Sequence, residues 1–199
     1  MYKIITISRE FGSGGRTIGR KLAEKLGYKF YDSELIAKVA EQSGFHKDFI
    51  ETHGEYASSG NSILFSFSRN GSLTTGHNSV YDEIFIAQQK VILEIAKEGN
   101  AVIVGRLADY ILRDRTDTLN VFIHADFEAR AVRIVQEYGE RDDKSIEKRL
   151  KDRDNKRKTY YKTYTGRNFG VAQNYHLSLN SSLLGIDRCV DLIYKVVKE

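Results

Sequence analysis

The stretch Ile4-Ile5-Thr6-Ile7-Ser8-Arg9-Glu10-Phe11-Gly12-Ser13-Gly14-Gly15-Arg16-Thr17-Ile18-Gly19 decides the fold. Its opening residues are β-branched and few, which predicts a short buried strand. The residues after it recur as Ile18, Leu22, Ala23 and Leu26, a three- and four-residue spacing that gives a helix one apolar face. Gly27 is placed to end that helix. Between strand and helix lie Gly12, Ser13, Gly14 and Gly15, small enough for successive backbone N–H groups to turn inward around an anion at the helix start. Arg16 adds positive charge there, and the Thr17 hydroxyl can meet a phosphate oxygen or its magnesium ion. A tight structural turn is the alternative reading of the same glycines. Strand-turn-helix placement favours phosphate binding.

Working outward, the pattern repeats. Tyr28 to Tyr31 predicts a short strand, with a cap at Asp32 or Ser33 for a helix carrying Leu35, Ile36, Val39 and Ala40. Ile84, Ala87, Val91, Ile92, Ile95 and Ala96 mark another helix, followed by the strand Ala101-Val102-Ile103-Val104. Leu119 to Ile123 forms the next strand, with Asp126 as a helix cap after it. A long, exposed basic helix with a thin apolar side follows, then a strand from Tyr175 to Leu179 and a helix from Ile186 to Ile193. Cys189 falls on the packed side of that last helix, as a buried thiol. The reading is a three-layer α/β domain with a parallel central sheet, a single domain over residues 1–199. It carries an excursion at residues 45–80, whose fold the sequence leaves open, and a lid region at residues 140–170.

Composition narrows the partners. The 199 residues carry 31 Lys plus Arg against 27 Asp plus Glu, a net +4. From Arg141 to Lys162 there are ten basic and five acidic residues, so the rest of the chain sums to −1. The basic character belongs to one segment and points to a local anion site or a nucleic-acid face. No helix-turn-helix or zinc-finger signature accompanies it, so nucleic acid is not an expected partner. No apolar run approaches the roughly 20 residues needed to span a bilayer, and no signal peptide precedes the first strand. With a single cysteine excluding an intrachain disulfide, the expected setting is the cytoplasm, without a membrane partner. The five histidines show no metal-ligand spacing, so no protein metal site is expected. A homodimer stays open.

Ile5 to Arg16, together with Val104-Gly105-Arg106, Tyr160-Tyr161-Lys162 and Tyr164-Thr165-Gly166, resembles the cytidylate kinase-like family, over nearly the full chain. That family is related to bacterial cytidylate kinases within the P-loop nucleoside-monophosphate kinase superfamily. The resemblance implies a P-loop nucleoside-triphosphate hydrolase-like fold with an acceptor-binding excursion and a helical lid. It implies a transferase that moves a phosphoryl group from ATP or another nucleoside triphosphate, with Mg²⁺, to CMP or a related nucleoside monophosphate. A catalytically weak nucleotide-binding protein and a phosphotransferase for another small acceptor are the alternatives. One departure matters: the phosphate-loop pattern G-x-x-x-x-G-K-[ST] requires a lysine, and none occurs from residue 4 to residue 20. An ungapped register places Arg9 at the first glycine, Gly14 at the second and Gly15 at the lysine. A register shifted by one places Arg16 at the lysine and Thr17 after it.

The resemblance also implies site residues. Arg16, Arg153 and Arg157 are the expected catalytic cations; Arg157 ends the lid's Asp154-Asn155-Lys156-Arg157 stretch, and Arg153 lies one helical turn before it. Arg106 is assigned to the acceptor monophosphate, with a helix cap or a pair with Asp109 as its structural rival. Asp32 is the expected carboxylate near the acceptor or magnesium, and a plain N-cap explains it too. Arg130 and Arg133, spaced by three on one helical side, are placed to approach the nucleotide together. Asp154 is expected to orient an arginine or to bind the acceptor sugar or base.

Overall fold

The computed structural model describes residues 2–53, 80–139 and 145–199. Its strands are β1 (Ile4–Arg9), β2 (Lys29–Tyr31), β3 (Ala101–Val104), β4 (Thr118–His124) and β5 (Leu177–Asn180). They form one sheet in the order β2-β3-β1-β4-β5, and every neighbouring pair is parallel. The helices are α1 (Gly15–Leu26), α2 (Ser33–Ser43), α3 (Lys47–His53), α4 (Val80–Glu98), α5 (Ala108–Ile111), α6 (Phe127–Tyr138), α7 (Ile146–Thr165), α8 (Ser181–Leu184) and α9 (Ile186–Lys198).

Side chains alternate across a strand, and β1 shows what this does to the layers. Ile4 joins one core with Leu35, Val39, Ile84, Ile92 and Ile103, beneath α2 and α4. Ile5 and Ile7 join the opposite core with Ile18, Leu22, Val121, Cys189 and Ile193, beneath α1 and α9. The Cys189 thiol is fully buried there, and burial pushes its pKa up. The expected three-layer arrangement is thus present, with β1 at its centre. From β1 the chain goes to β2 at one edge, returns to insert β3 between them, and then crosses to β4 and β5 on the other side of β1. Ligands in such sheets bind beyond the carboxyl ends of the strands where the order switches sides.

Two expected caps are corrected. Asp32 and Asp126 stand at the N-cap positions of α2 and α6, yet neither side chain caps its helix. Asp32 instead pairs with Arg16, and Asp126 accepts from Asn180 Nδ2 at 3.1 Å. Each carboxylate is taken up by a side-chain donor from another element rather than by the amides of its own helix. The exposed helix expected over the basic segment is corrected as well: α7 buries Leu150, Asp154, Arg157, Tyr160 and Tyr161 against the body. Of the excursion at 45–80, residues 54–79 lie outside the described residues, as do residues 140–144 at the start of the lid region. Among the described residues, no helix is long and apolar enough to cross a membrane.

Candidate active site

The glycine-rich loop lies where β1 ends and α1 begins. Gly12 and Gly14 both take φ +77°, a left-handed conformation that a side chain would strain. Gly14 is the N-cap of α1, and no side chain caps that end. The first-turn amides of a helix have no intrahelical partner and present the positive end of its dipole. Gly15 opening the helix matches the ungapped register of the loop.

Three arginines hold this loop and the strand end before it by their carbonyls. Arg157 donates to Arg9 O at 3.1 Å, Arg130 to Phe11 O at 3.3 Å and Arg133 to Gly12 O at 2.5 Å. Ser181 donates its hydroxyl to Ser13 O at 2.6 Å. Asp154 ties loop and lid helix together: its Oδ1 accepts from Phe11 N at 2.8 Å, and its Oδ2 accepts from Arg130 at 2.5 Å. Arg130 also faces Glu10 at 3.8 Å. The guanidinium groups of Arg153 and Arg157 stand 5.6 and 6.0 Å from the Phe11 ring centroid, within cation–π range.

Arg106 sits on an unusual turn. Gly105, Arg106 and Leu107 have φ of +71°, +58° and +58°, a left-handed run directly after β3. For non-glycine residues this costs energy, and such strain clusters where a side chain must be aimed. Gly105 N donates to Ile7 O and Ala108 N to Gly105 O, which hold the turn. The Arg106 side chain is aimed inward and is 6% exposed, donating to Ile50 O at 3.2 Å. The rival pairing with Asp109 does not form, because Asp109 accepts from the Tyr161 hydroxyl at 2.8 Å. Among the described residues no carboxylate comes within ion-pair distance of Arg106. A buried cation without a counter-charge is costly, and such a group suits an anionic ligand.

Ser8, Arg9, Gly105, Arg106, Leu107, Asp109, Arg157, Tyr160, Tyr161 and Phe169 enclose a cleft of about 20 Å³ beyond the ends of β1 and β3. That is room for about one water, so entry of a phosphate requires α7 or its side chains to withdraw. Burial drives the Asp109 carboxyl above its usual range, against the lowering effect of the Tyr161 hydrogen bond. Burial likewise raises Tyr161 and Tyr175.

The site residues named above therefore fall into three groups. Arg106 and Arg157 converge on the cleft, while Arg130, Arg133 and Asp154 brace the loop. Arg16 pairs with Asp32 at 2.5 Å and remains half exposed, away from the cleft lining. Sequence reasoning missed Arg9 and the buried Asp109–Tyr161 pair. Arg9 carried a signal in the loop register, as the charged residue at the first-glycine position. Nothing in the sequence linked Asp109 to Tyr161, which lies 52 residues away.

A parallel sheet in this strand order, with a glycine-rich loop leading into the first helix and a helical lid over the strand ends, is the architecture of P-loop nucleoside-triphosphatase-like proteins. Residues 4–183 match the model of the cytidylate kinase-like family. The chain belongs to that family. It is 30% identical to the cytidylate kinase of Archaeoglobus fulgidus, covering 98% of this chain and 94% of that protein. It is 25% identical to the cytidylate kinase of Ignicoccus hospitalis, covering 98% of each. Among solved structures it resembles an uncharacterized protein from Eubacterium ventriosum, with a TM-score of 0.73, 26% identity and 98% of each chain covered. It also shares its fold with the shikimate kinase of Acinetobacter baumannii, at a TM-score of 0.56 and 16% identity, over 99% of this chain and 93% of that one.

Proposed function

We propose that this protein transfers the γ-phosphoryl group of ATP, or of another nucleoside triphosphate, to CMP or a related nucleoside monophosphate. The observation that carries the reading is the buried, uncompensated Arg106, aimed into a cleft it shares with Arg157 beside the glycine-rich loop. Family membership supports the same reaction class, and the names of the archaeal relatives support CMP as acceptor.

The chemistry asks little of covalent catalysis. An acceptor phosphate oxygen is already ionised near neutral pH, so it attacks the γ-phosphorus without a general base. The bond to the β–γ bridging oxygen breaks as the new one forms, and the nucleoside diphosphate leaves with that electron pair. What the protein supplies is alignment and positive charge. Arg106 suits the acceptor phosphate, and Arg157, with Arg153 beside it, suits the transferring group as α7 closes. Closure also excludes water, which would otherwise take the phosphoryl group. Mg²⁺ would be held mainly by phosphate oxygens and water. Thr17 fits a supporting contact to it, whereas the Asp32 carboxylate is already neutralised by Arg16 and fits a positioning role better.

The test is ADP formation from MgATP across a panel of nucleoside monophosphates, with folding monitored in parallel. Acceptor-dependent turnover, highest with CMP, is expected. Folded protein giving background ADP with every monophosphate would refute the reading. Arg106→Met separates function from architecture. Losing a buried charge-assisted contact of about 1.5–3 kcal/mol raises the acceptor KM roughly 10- to 100-fold. The same change removes an unpaired buried charge, so the melting temperature holds or rises.

A further inference from the structure

The loop of this protein lacks the lysine its fold calls for, and the structure shows where a replacement comes from. In the ungapped register, which the start of α1 at Gly15 supports, two positions depart together: the first glycine is Arg9, and the lysine is Gly15. These positions face each other. A Cβ built on Gly15 would lie 2.7 Å from Arg9 Cβ and 3.1 Å from Arg9 Cγ. Real Cβ atoms essentially never show the first of these distances, so a side chain at position 15 would force Arg9 or the backbone to shift. The ordinary loop leaves the strand position bare and puts the cation on the helix. Here the strand carries the cation, and the helix is bare.

The geometry points to Arg9 as the donor-phosphate cation, taking over from the strand side the contact to the β- and γ-phosphates that the loop lysine makes elsewhere. This rests on the proposed phosphoryl-transfer reading. Three further observations place Arg9 for the task. It follows Ile5 and Ile7 on the face of β1 toward α1, and Ile7 meets Gly19 one turn along that helix, as Arg9 meets Gly15. It lines the cleft with Arg106 and Arg157, the residues assigned to the acceptor and transferring groups. Its carbonyl is fixed by Arg157, so its backbone is held as the lid closes. Arg16, the other candidate, lies one residue further along α1, about 100° around the helix, and is engaged by Asp32. The guanidinium fork can meet two phosphate oxygens at once, where an ammonium acts as a point charge.

The experiment compares wild type, Arg9→Met, Gly15→Lys and the double exchange Arg9→Gly/Gly15→Lys. Calorimetry measures binding of adenylyl imidodiphosphate with Mg²⁺, and of CMP separately, after thermal melts confirm folding. Arg9→Met keeps the stem and loses the charge, and should weaken the triphosphate analogue about 10- to 100-fold while CMP binding changes less than about twofold. Gly15→Lys alone should lower the melting temperature by crowding Arg9. The double exchange should recover most of the analogue affinity, because it restores the usual loop. Wild type that binds neither analogue nor CMP overturns the phosphoryl-transfer reading itself. Wild type that binds the analogue, with Arg9→Met binding it equally well or losing CMP instead, overturns the role of Arg9 and leaves that reading standing. Should the double exchange not fold, Arg9→Met still decides.

Discussion

Asp154→Ala is the substitution that probes most directly how the lid helix and the glycine-rich loop depend on each other. Asp154 is buried, and its two oxygens are committed to Phe11 N at 2.8 Å and Arg130 at 2.5 Å. The side chains of the ion pair are 10% and 12% exposed, so solvent screens it little. Removing one partner of a buried pair costs about 3–5 kcal/mol, since the other charge stays behind in a dry site. Glu10, 3.8 Å from Arg130, softens that loss and places the expected value near the lower end, about 3 kcal/mol. For a domain of this size about 2–4 °C accompanies each kcal/mol, so the melting temperature should fall by about 6–12 °C. Asp154→Asn keeps an acceptor for Phe11 N and loses the charge, and should cost about half as much. Thermal unfolding followed by circular dichroism measures both, with the exposed Lys156→Ala on the same helix as a control expected within about 0.5 kcal/mol of wild type. A shift below about 2 °C for Asp154→Ala would mean that loop and lid are not coupled through this carboxylate.

Asp109→Asn turns on pH. A carboxyl whose folded pKa is raised contributes its stability below its unfolded value, and that contribution is lost as pH rises through the folded value. The amide keeps an acceptor for Tyr161 and carries no charge to bury. The variant should therefore gain on wild type as pH rises above the ordinary aspartate range of about 4 in parallel denaturant titrations, and a constant gap would contradict this. Tyr161→Phe strips the donor from the same buried carboxylate and should cost about 1–3 kcal/mol at neutral pH, read from the urea midpoint. Gly12→Ala places a Cβ 3.0 Å from Arg130 O at φ +77°, and should lower stability by about 1–3 kcal/mol, with a wild-type melting temperature arguing against the loop geometry.

The layers were legible because hydrophobic spacing is a local signal. Ile18, Leu22 and Ala23 announce the buried face of α1, and the Ala101–Val104 run announces a strand covered on both sides. The site was legible only where a motif carried it. Gly12 to Gly15 marked the loop, and Gly105-Arg106 marked the acceptor side. Nothing local in Arg106 or Leu107 announces two consecutive left-handed residues, because that strain is sustained by contacts made elsewhere in the fold. The docking of α7 escaped for a related reason. Its buried side runs through Asp154, Arg157 and Tyr161, spaced by three and four, but two of the three are charged. Hydropathy reads such a stripe as solvated. Only the partners, Phe11 N, Arg130 and Arg9 O, turn it into an inner face.

Those partners also change what the arginine-rich segments are for. Arg130 and Arg133 were expected to approach the nucleotide together, and in the structure each donates to a carbonyl of the loop. In a trans peptide the C=O and the following N–H point in opposite directions. With Phe11 O held outward by Arg130 and Ser13 O by Ser181, the N–H groups of Gly12 and Gly14 are turned toward the loop interior. Bracing of the carbonyls thus sets the loop's shape without a ligand, and on the proposed reading little ordering entropy would remain to be lost when phosphate binds. It also separates two uses of positive charge. Arginines that grip carbonyls hold the loop, and Arg9, Arg106 and Arg157 line the cleft, where the proposed reaction places phosphate. Arg157 belongs to both groups, since it grips Arg9 O from α7. Through that contact, on the proposed reading, movement of α7 and alignment of the strand-borne cation would be coupled.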